Sequence, residues 1–133
     1  MTTTTTTLPA VPVPTVPAVP TQITDLVDDL TGFHPTLDRA VQALEDLAAA
    51  DLDIDRSQSL AAALGGLADG SLATLVGLVL RHIANPDANR ALVDLPEARK
   101  QTLRRLGAEY AAAIADPYLE RIASETSAVI EGV

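Results

Sequence analysis

The chain has 133 residues, no cysteine, no tryptophan and a net charge of −9, from 18 acidic and 9 basic residues. This composition excludes disulfide scaffolds, cysteine-ligated zinc sites and thiol catalysis. It also argues against sequence-independent binding to nucleic acid, because that affinity comes from a surplus of lysine and arginine. Since 47% of the residues are hydrophobic but only 2% are aromatic, any core must be built from aliphatic side chains.

The first 22 residues are predicted to form an extended or disordered arm. Six consecutive threonines at positions 2–7 are followed by prolines at every second or third position up to Pro20. Proline fixes φ and removes a backbone donor, so neither a helix nor a central strand can form here. We expect the arm to bind a neighbouring subunit through the apolar residues between its prolines, which are Leu8, Val11, Val13, Val16 and Val19. It resembles no secretory signal, so a cytoplasmic protein, or a virion protein if phage-encoded, is expected.

A helical domain is predicted over residues 23–133, and it begins with an acidic pair of helices. Thr21 is expected to cap the first helix, which places Ile23 and Leu30 on its inner face and Asp25, Asp28 and Asp29 on its outer face. Pro35 is expected to open the second helix. Residues 25–55 contain nine acids and one base, a net charge of −8, whereas residues 56–133 carry −1.

The connector after the second helix has alternating acids, Asp51, Asp53 and Asp55, which resemble the first positions of a calcium-binding loop. The glycine that such a loop needs is replaced by Arg56, and Ala62 stands where the bidentate glutamate belongs. We interpret the segment as a solvated linker, with cation binding left open. A short helix at residues 57–64 should follow it.

Residues 71–84 are apolar on almost every face, which predicts a central helix surrounded by other helices, capped by Asp69 or Ser71. A membrane-spanning segment is the alternative for residues 61–80. Asp69 lies inside that window, and the uninterrupted apolar run is about a dozen residues, short of the roughly 20 that spanning requires. A buried helix is therefore favoured.

Two further helices complete the chain. The first has Pro96 in its first turn and carries a cluster of four bases, Arg99, Lys100, Arg104 and Arg105. On a strongly acidic protein we expect these bases to pair with acids of this chain or of another subunit rather than with nucleic acid. Asp116 and Pro117 separate this helix from the last one, which should run almost to the C-terminus.

Apart from residues 51–55, no segment shows sustained alternation of apolar and polar residues, so the predicted fold class is all-α. We expect a compact bundle of five to six helices around the central apolar helix, with the Pro/Thr-rich arm extending from it. His34 and His82 are the only histidines, and no sequence pattern joins either to a nucleophile or to metal ligands. No enzymatic activity, cofactor or metal is therefore expected.

The sequence predicts a non-enzymatic assembly or interaction protein, in a homo-oligomer or larger complex such as a phage particle, whose arm binds a neighbouring subunit. The alternative is an acidic inhibitor or regulator that docks residues 25–55 onto a basic, nucleic-acid-binding partner protein. A membrane-associated helical protein is a third possibility. The scarcity of aromatic residues implies that any interface uses aliphatic helix faces and charge.

Overall fold

The computed structural model describes residues 19–66 and 70–132. Within this part of the chain there are six α-helices and no strand, which confirms the predicted all-α class. The helices are α1 (Thr21–Leu30), α2 (Pro35–Ala49), α3 (Ile54–Ala61), α4 (Leu72–Ile83), α5 (Glu97–Ile114) and α6 (Pro117–Glu131). A π-helical turn, Ala62–Gly66, extends α3, and a 3₁₀ turn, Arg90–Leu92, precedes α5.

The contacts divide the chain into two units, one up to Asp51 and the other from Leu52 onward. We call α1 and α2 the hairpin unit, and α3 to α6 the four-helix unit. Each is described by itself below, and a single helical domain over residues 23–133 stays a prediction. Most of the predicted arm lies outside the described residues, which begin at position 19.

The hairpin unit is held at its turn by capping interactions. His34 is the N-cap of α2, and its Nδ1 accepts a hydrogen bond of 3.1 Å from the backbone N–H of Thr36. Pro35 is the first helical residue, as predicted, because its fixed φ suits this position. The prediction that Thr21 caps α1 is wrong: Pro20 is the N-cap, no side chain caps the helix, and Thr21 already lies inside it.

The first part of the four-helix unit packs α3 and its π-helical turn against α6. α3 begins three residues before the predicted start, because the Asp53 side chain accepts a hydrogen bond of 2.8 Å from the backbone N–H of Arg56. Ser127 is buried, and its Oγ donates a 3.0 Å hydrogen bond to the Gln58 carbonyl. Gly66, which comes after Gln58, lies against the α6 backbone at Ser124, which comes before Ser127. The two segments therefore run antiparallel.

The second part packs α4 against α5. Ser71 is the N-cap of α4 and accepts from the backbone N–H of Thr74, which confirms one of the two predicted caps; Asp69 lies outside the described residues. The expectation that α4 is surrounded requires correction. Helix α4 packs on α5 and on the π-helical turn, and most of its large apolar side chains are exposed.

The last two helices begin close to their predicted starts. Pro96 is the N-cap of α5 rather than a member of its first turn. Asp116 caps α6 by accepting a 2.9 Å hydrogen bond from the Tyr118 backbone N–H, and Pro117 is the first helical residue. α6 ends at Gly132, whose φ of +88° is the left-handed conformation that glycine adopts at helix ends.

Candidate protein-interaction surfaces

The arm joins the hairpin unit at the start of α1. Four of the five arm residues predicted to bind a partner, Leu8, Val11, Val13 and Val16, lie outside the described residues. The fifth, Val19, is half-buried and directly precedes Pro20, the N-cap of α1. The structure therefore places the attachment point of the arm at the N-terminus of α1, the helix whose inner face meets α2.

That inner face is an open apolar groove of about 350 Å³ between α1 and α2. Spacings of three and four residues bring the apolar positions of each helix onto one side. The aliphatic lining residues are Ile23, Leu26, Val27, Leu30, Val41 and Leu44, with Gln22 and Glu45 as the polar ones. Val41 is buried, but Leu26 is 56% exposed and Leu44 is 44% exposed. The two helices thus leave much of their shared apolar surface uncovered.

The predicted acidic residues of α1, Asp25, Asp28 and Asp29, are all exposed. None of the ion pairs formed within residues 19–66 and 70–132 includes an acid of α1 or α2. Asp38 accepts a 2.9 Å hydrogen bond from the backbone N–H of Gly32, and this bond ties the turn to α2. The other hairpin acids leave a strongly negative outer surface.

The basic cluster of α5 is partly neutralised within the chain. Arg104 makes ion pairs of 3.0 Å with Asp87 and 3.4 Å with Glu97, and Arg105 makes one of 3.2 Å with Glu109. The hydrogen bond and positive charge of Arg104 lower the pKa of Asp87, and the same hydrogen bond raises the pKa of Arg104. All of these side chains are substantially exposed to solvent, so each pair stabilises the fold only weakly.

Two of the four predicted basic binding residues remain outside these ion pairs. Arg99 is exposed and Lys100 is half-buried, and neither forms an ion pair within the described part of the chain. The partners of Arg104 were missed from the sequence. Glu97 lies two helical turns before Arg104 and could have been found from that spacing. Asp87 lies in the loop between α4 and α5, where no periodicity applies, and it reaches Arg104 only through the fold.

Two of the three alternating acids of the connector lie where they stabilise the start of α3. Asp53 caps α3, and its backbone carbonyl also accepts a 2.8 Å hydrogen bond from the hydroxyl of Ser57. Asp55 lies in the first turn of α3, where a negative charge favours the helix dipole. In the described ranges no three histidine, aspartate or glutamate side chains are grouped as metal ligands would be.

The two histidines have separate positions in the fold. His34 uses Nδ1 in capping α2, and His82 lies exposed in the last turn of α4, where a cation would favour the helix dipole. Across residues 19–66 and 70–132, no helix combines the length and the apolar content that crossing a bilayer requires.

A surface that the sequence analysis missed lies on α4 and α5. We had expected the apolar residues of α4 to be covered, but Leu75, Val76, Val79 and Ile83 are all exposed. On α5, Leu106 and Tyr110 are exposed as well. No family model, curated protein or solved structure matches this chain.

Proposed function

We propose that this chain is a non-enzymatic subunit of a protein assembly, which binds neighbouring subunits through its apolar helix faces and its N-terminal arm. The observation that carries the proposal is how few apolar side chains the described residues bury. Val41 is the one aliphatic side chain buried among the described residues, whereas twenty large hydrophobic side chains of the same residues are exposed.

Such exposure is costly for an isolated chain. Fully burying one aliphatic side chain contributes about 1.5–3 kcal/mol, and contiguous exposed apolar surface on soluble proteins marks interaction sites. Most of the exposed residues fall on helix faces rather than singly, as in the groove between α1 and α2. A structural component of a phage particle, or of another multi-subunit complex, would cover these faces when it assembles.

The experiment compares the full-length chain with a variant lacking residues 1–18, each carrying a C-terminal tag, at native expression in the source cells. This deletion keeps Val19, Pro20 and the whole of α1. We expect the full-length chain to elute from size exclusion in a complex with a mass well above 13.8 kDa. The deletion should shift it to smaller species because the arm contacts are lost.

A full-length chain that elutes as a monomer under these conditions contradicts the proposal. If the deletion variant elutes in the same complex as the full-length chain, the arm does not contribute to assembly. The proposal then rests on the apolar helix faces alone.

A second function, docking of the acidic hairpin onto a basic partner protein, is favoured by the exposure of Asp25, Asp28 and Asp29. The stability of the complex at high salt distinguishes the two proposals. At about 1 M salt the screening length falls to roughly 3 Å, so a complex held by exposed charges should dissociate. A complex held by apolar faces should survive the same salt concentration, and we expect this result.

A further inference from the structure

Helices α4 and α5 approach each other through their smallest residues. Gly77 of α4 lies against Ala111 and Ile114, while Gly107 of α5 lies against Arg81 and Ala84. A Cβ atom added to either glycine would stand 3.2 Å from a Cα atom of the other helix. The helices are antiparallel, because the earlier residue of α4 meets the later residues of α5. Because the contact is filled by small residues, the large side chains of both helices lie beside it.

The two sides of this helix pair differ in chemistry. Val76 and Leu80 stand one residue before and three residues after Gly77, and Leu106 and Tyr110 stand at the same offsets from Gly107. At about 100° per residue, these offsets in antiparallel helices place all four residues on one side of the pair. Ile83, six residues after Gly77, lies on this side too. These five residues, 39–59% exposed, define the α4–α5 face.

The opposite side of the pair is polar. It carries Arg104 with its ion-pair partners Asp87 and Glu97, and a small cavity there is lined by Arg81, Asn85, Asp87 and Arg104. None of these five residues is charged, and the nearest base on the same side of α5 is Arg99, two helical turns before Leu106. The pair is therefore amphipathic as a unit, like one half of a four-helix bundle.

We propose that the α4–α5 face packs against the same face of a second copy of this chain, so that two helix pairs complete a four-helix bundle with twofold symmetry. This inference rests on the proposed function and names one of its partners. A twofold interface requires a surface that complements itself, and an apolar face whose five residues carry no charge meets that requirement. Covering the five side chains in both copies would bury roughly 1,000 Å², about the lower bound for a specific interface.

The charge distribution favours a second copy over a membrane. The hairpin unit, up to Asp51, holds −6 of the net charge, whereas residues 52–133 carry −3, so two copies can meet through α4 and α5 with less repulsion than through the hairpin. A chain of net charge −9 is repelled by an anionic lipid surface, and of the bases on α5 only Arg99 and Lys100 lie outside the ion pairs of the described residues to offset this repulsion.

The test measures the mass of the purified full-length chain by light scattering over a range of concentrations. We expect a dimer, and we expect Leu106→Glu to raise the dimer Kd about a hundredfold or more, because the interface would bury two carboxylates without partners. Leu78→Glu is the matched control. Leu78 is 50% exposed and Leu106 is 48% exposed, but Leu78 lies on the polar side of the pair, so its substitution should leave the dimer intact.

A cross-linking variant covers the case in which Leu106→Glu disturbs folding. The chain contains no cysteine, so Leu80→Cys and Leu78→Cys each introduce a single thiol. A short bis-maleimide linker should join two Leu80→Cys chains and should leave Leu78→Cys chains unlinked.

Three results would overturn the inference. The first is a purified chain that stays monomeric, and the second is a dimer that Leu106→Glu and Leu78→Glu weaken equally. The third is a monomer that floats with vesicles of neutral or anionic phospholipid, which would identify a lipid surface as the occupant. The assembly function survives the first two results if the chain from its source cells still elutes in a large complex.

Discussion

Replacing Gly66 with alanine should destabilise the four-helix unit by about 1–3 kcal/mol, the usual range for overpacking a close contact. An added Cβ would stand 2.7 Å from the backbone N of Ser124 and 2.8 Å from the carbonyl carbon of Ala123. Both atoms belong to the α6 backbone and cannot rotate away, so α6 would have to move. At an exposed helical position the same substitution stabilises by about 1 kcal/mol, so the sign of the effect is diagnostic.

Urea denaturation of the full-length chain, followed by circular dichroism, measures this effect. Gly65→Ala is the matched control in the same π-helical turn, because its added Cβ would meet the Ala123 side chain at 3.2 Å rather than backbone atoms. We expect Gly65→Ala to cost less than Gly66→Ala. If the alanine at position 66 stabilises the chain, α6 does not pack on this turn as described.

Two helix starts could be predicted from local rules. Pro35 and Ser71 stand at or next to the helix starts predicted from them, because capping and the fixed φ of proline depend only on neighbouring residues. The start of α3 was missed although a rule of the same local kind decides it. Asp53 was considered as a possible cation ligand, and its equally local role as an N-cap was overlooked.

The environment of α4 could not be predicted in this way. A helix that is apolar on all faces shows that something must cover it, but the sequence does not say whether the cover comes from the same chain. The answer depends on the contacts of Gly77 with Ala111 and of Gly107 with Arg81, which bring α4 and α5 close together and leave their larger residues at the side. No spacing rule reports such a contact.

The candidate surfaces show the same difference between features set by local sequence and features set by contacts between elements. The acidic outer face of α1 follows from helical periodicity, and Asp25, Asp28 and Asp29 are exposed as that periodicity requires. Whether a base of the α5 cluster is neutralised depends on the loop after α4, which brings Asp87 to Arg104. Local charge counts therefore located the charged surfaces but could not show which charges are neutralised within the chain.

Truncating Val41 to alanine should destabilise the hairpin unit by about 2 kcal/mol, from the lost burial of two methyl groups and the cavity that remains. Val41 is 6% exposed, and it lines the groove with Ile23 and Val27. Two helices with one buried aliphatic side chain have little stability to spare, so this loss should be visible as local opening. Hydrogen exchange measured by mass spectrometry should show amides of residues 21–49 exchanging about thirtyfold faster.

The matched control removes the same atoms from an exposed valine. Val129 of α6 is 74% exposed, so Val129→Ala gives up almost no buried surface and should leave exchange in the hairpin unchanged. If Val41→Ala also leaves the hairpin amides unchanged, the packing of α1 on α2 through Val41 does not determine the stability of this unit. In that case the groove would have to be held by another contact, and its role as an open binding surface for a neighbouring subunit would lose its structural basis.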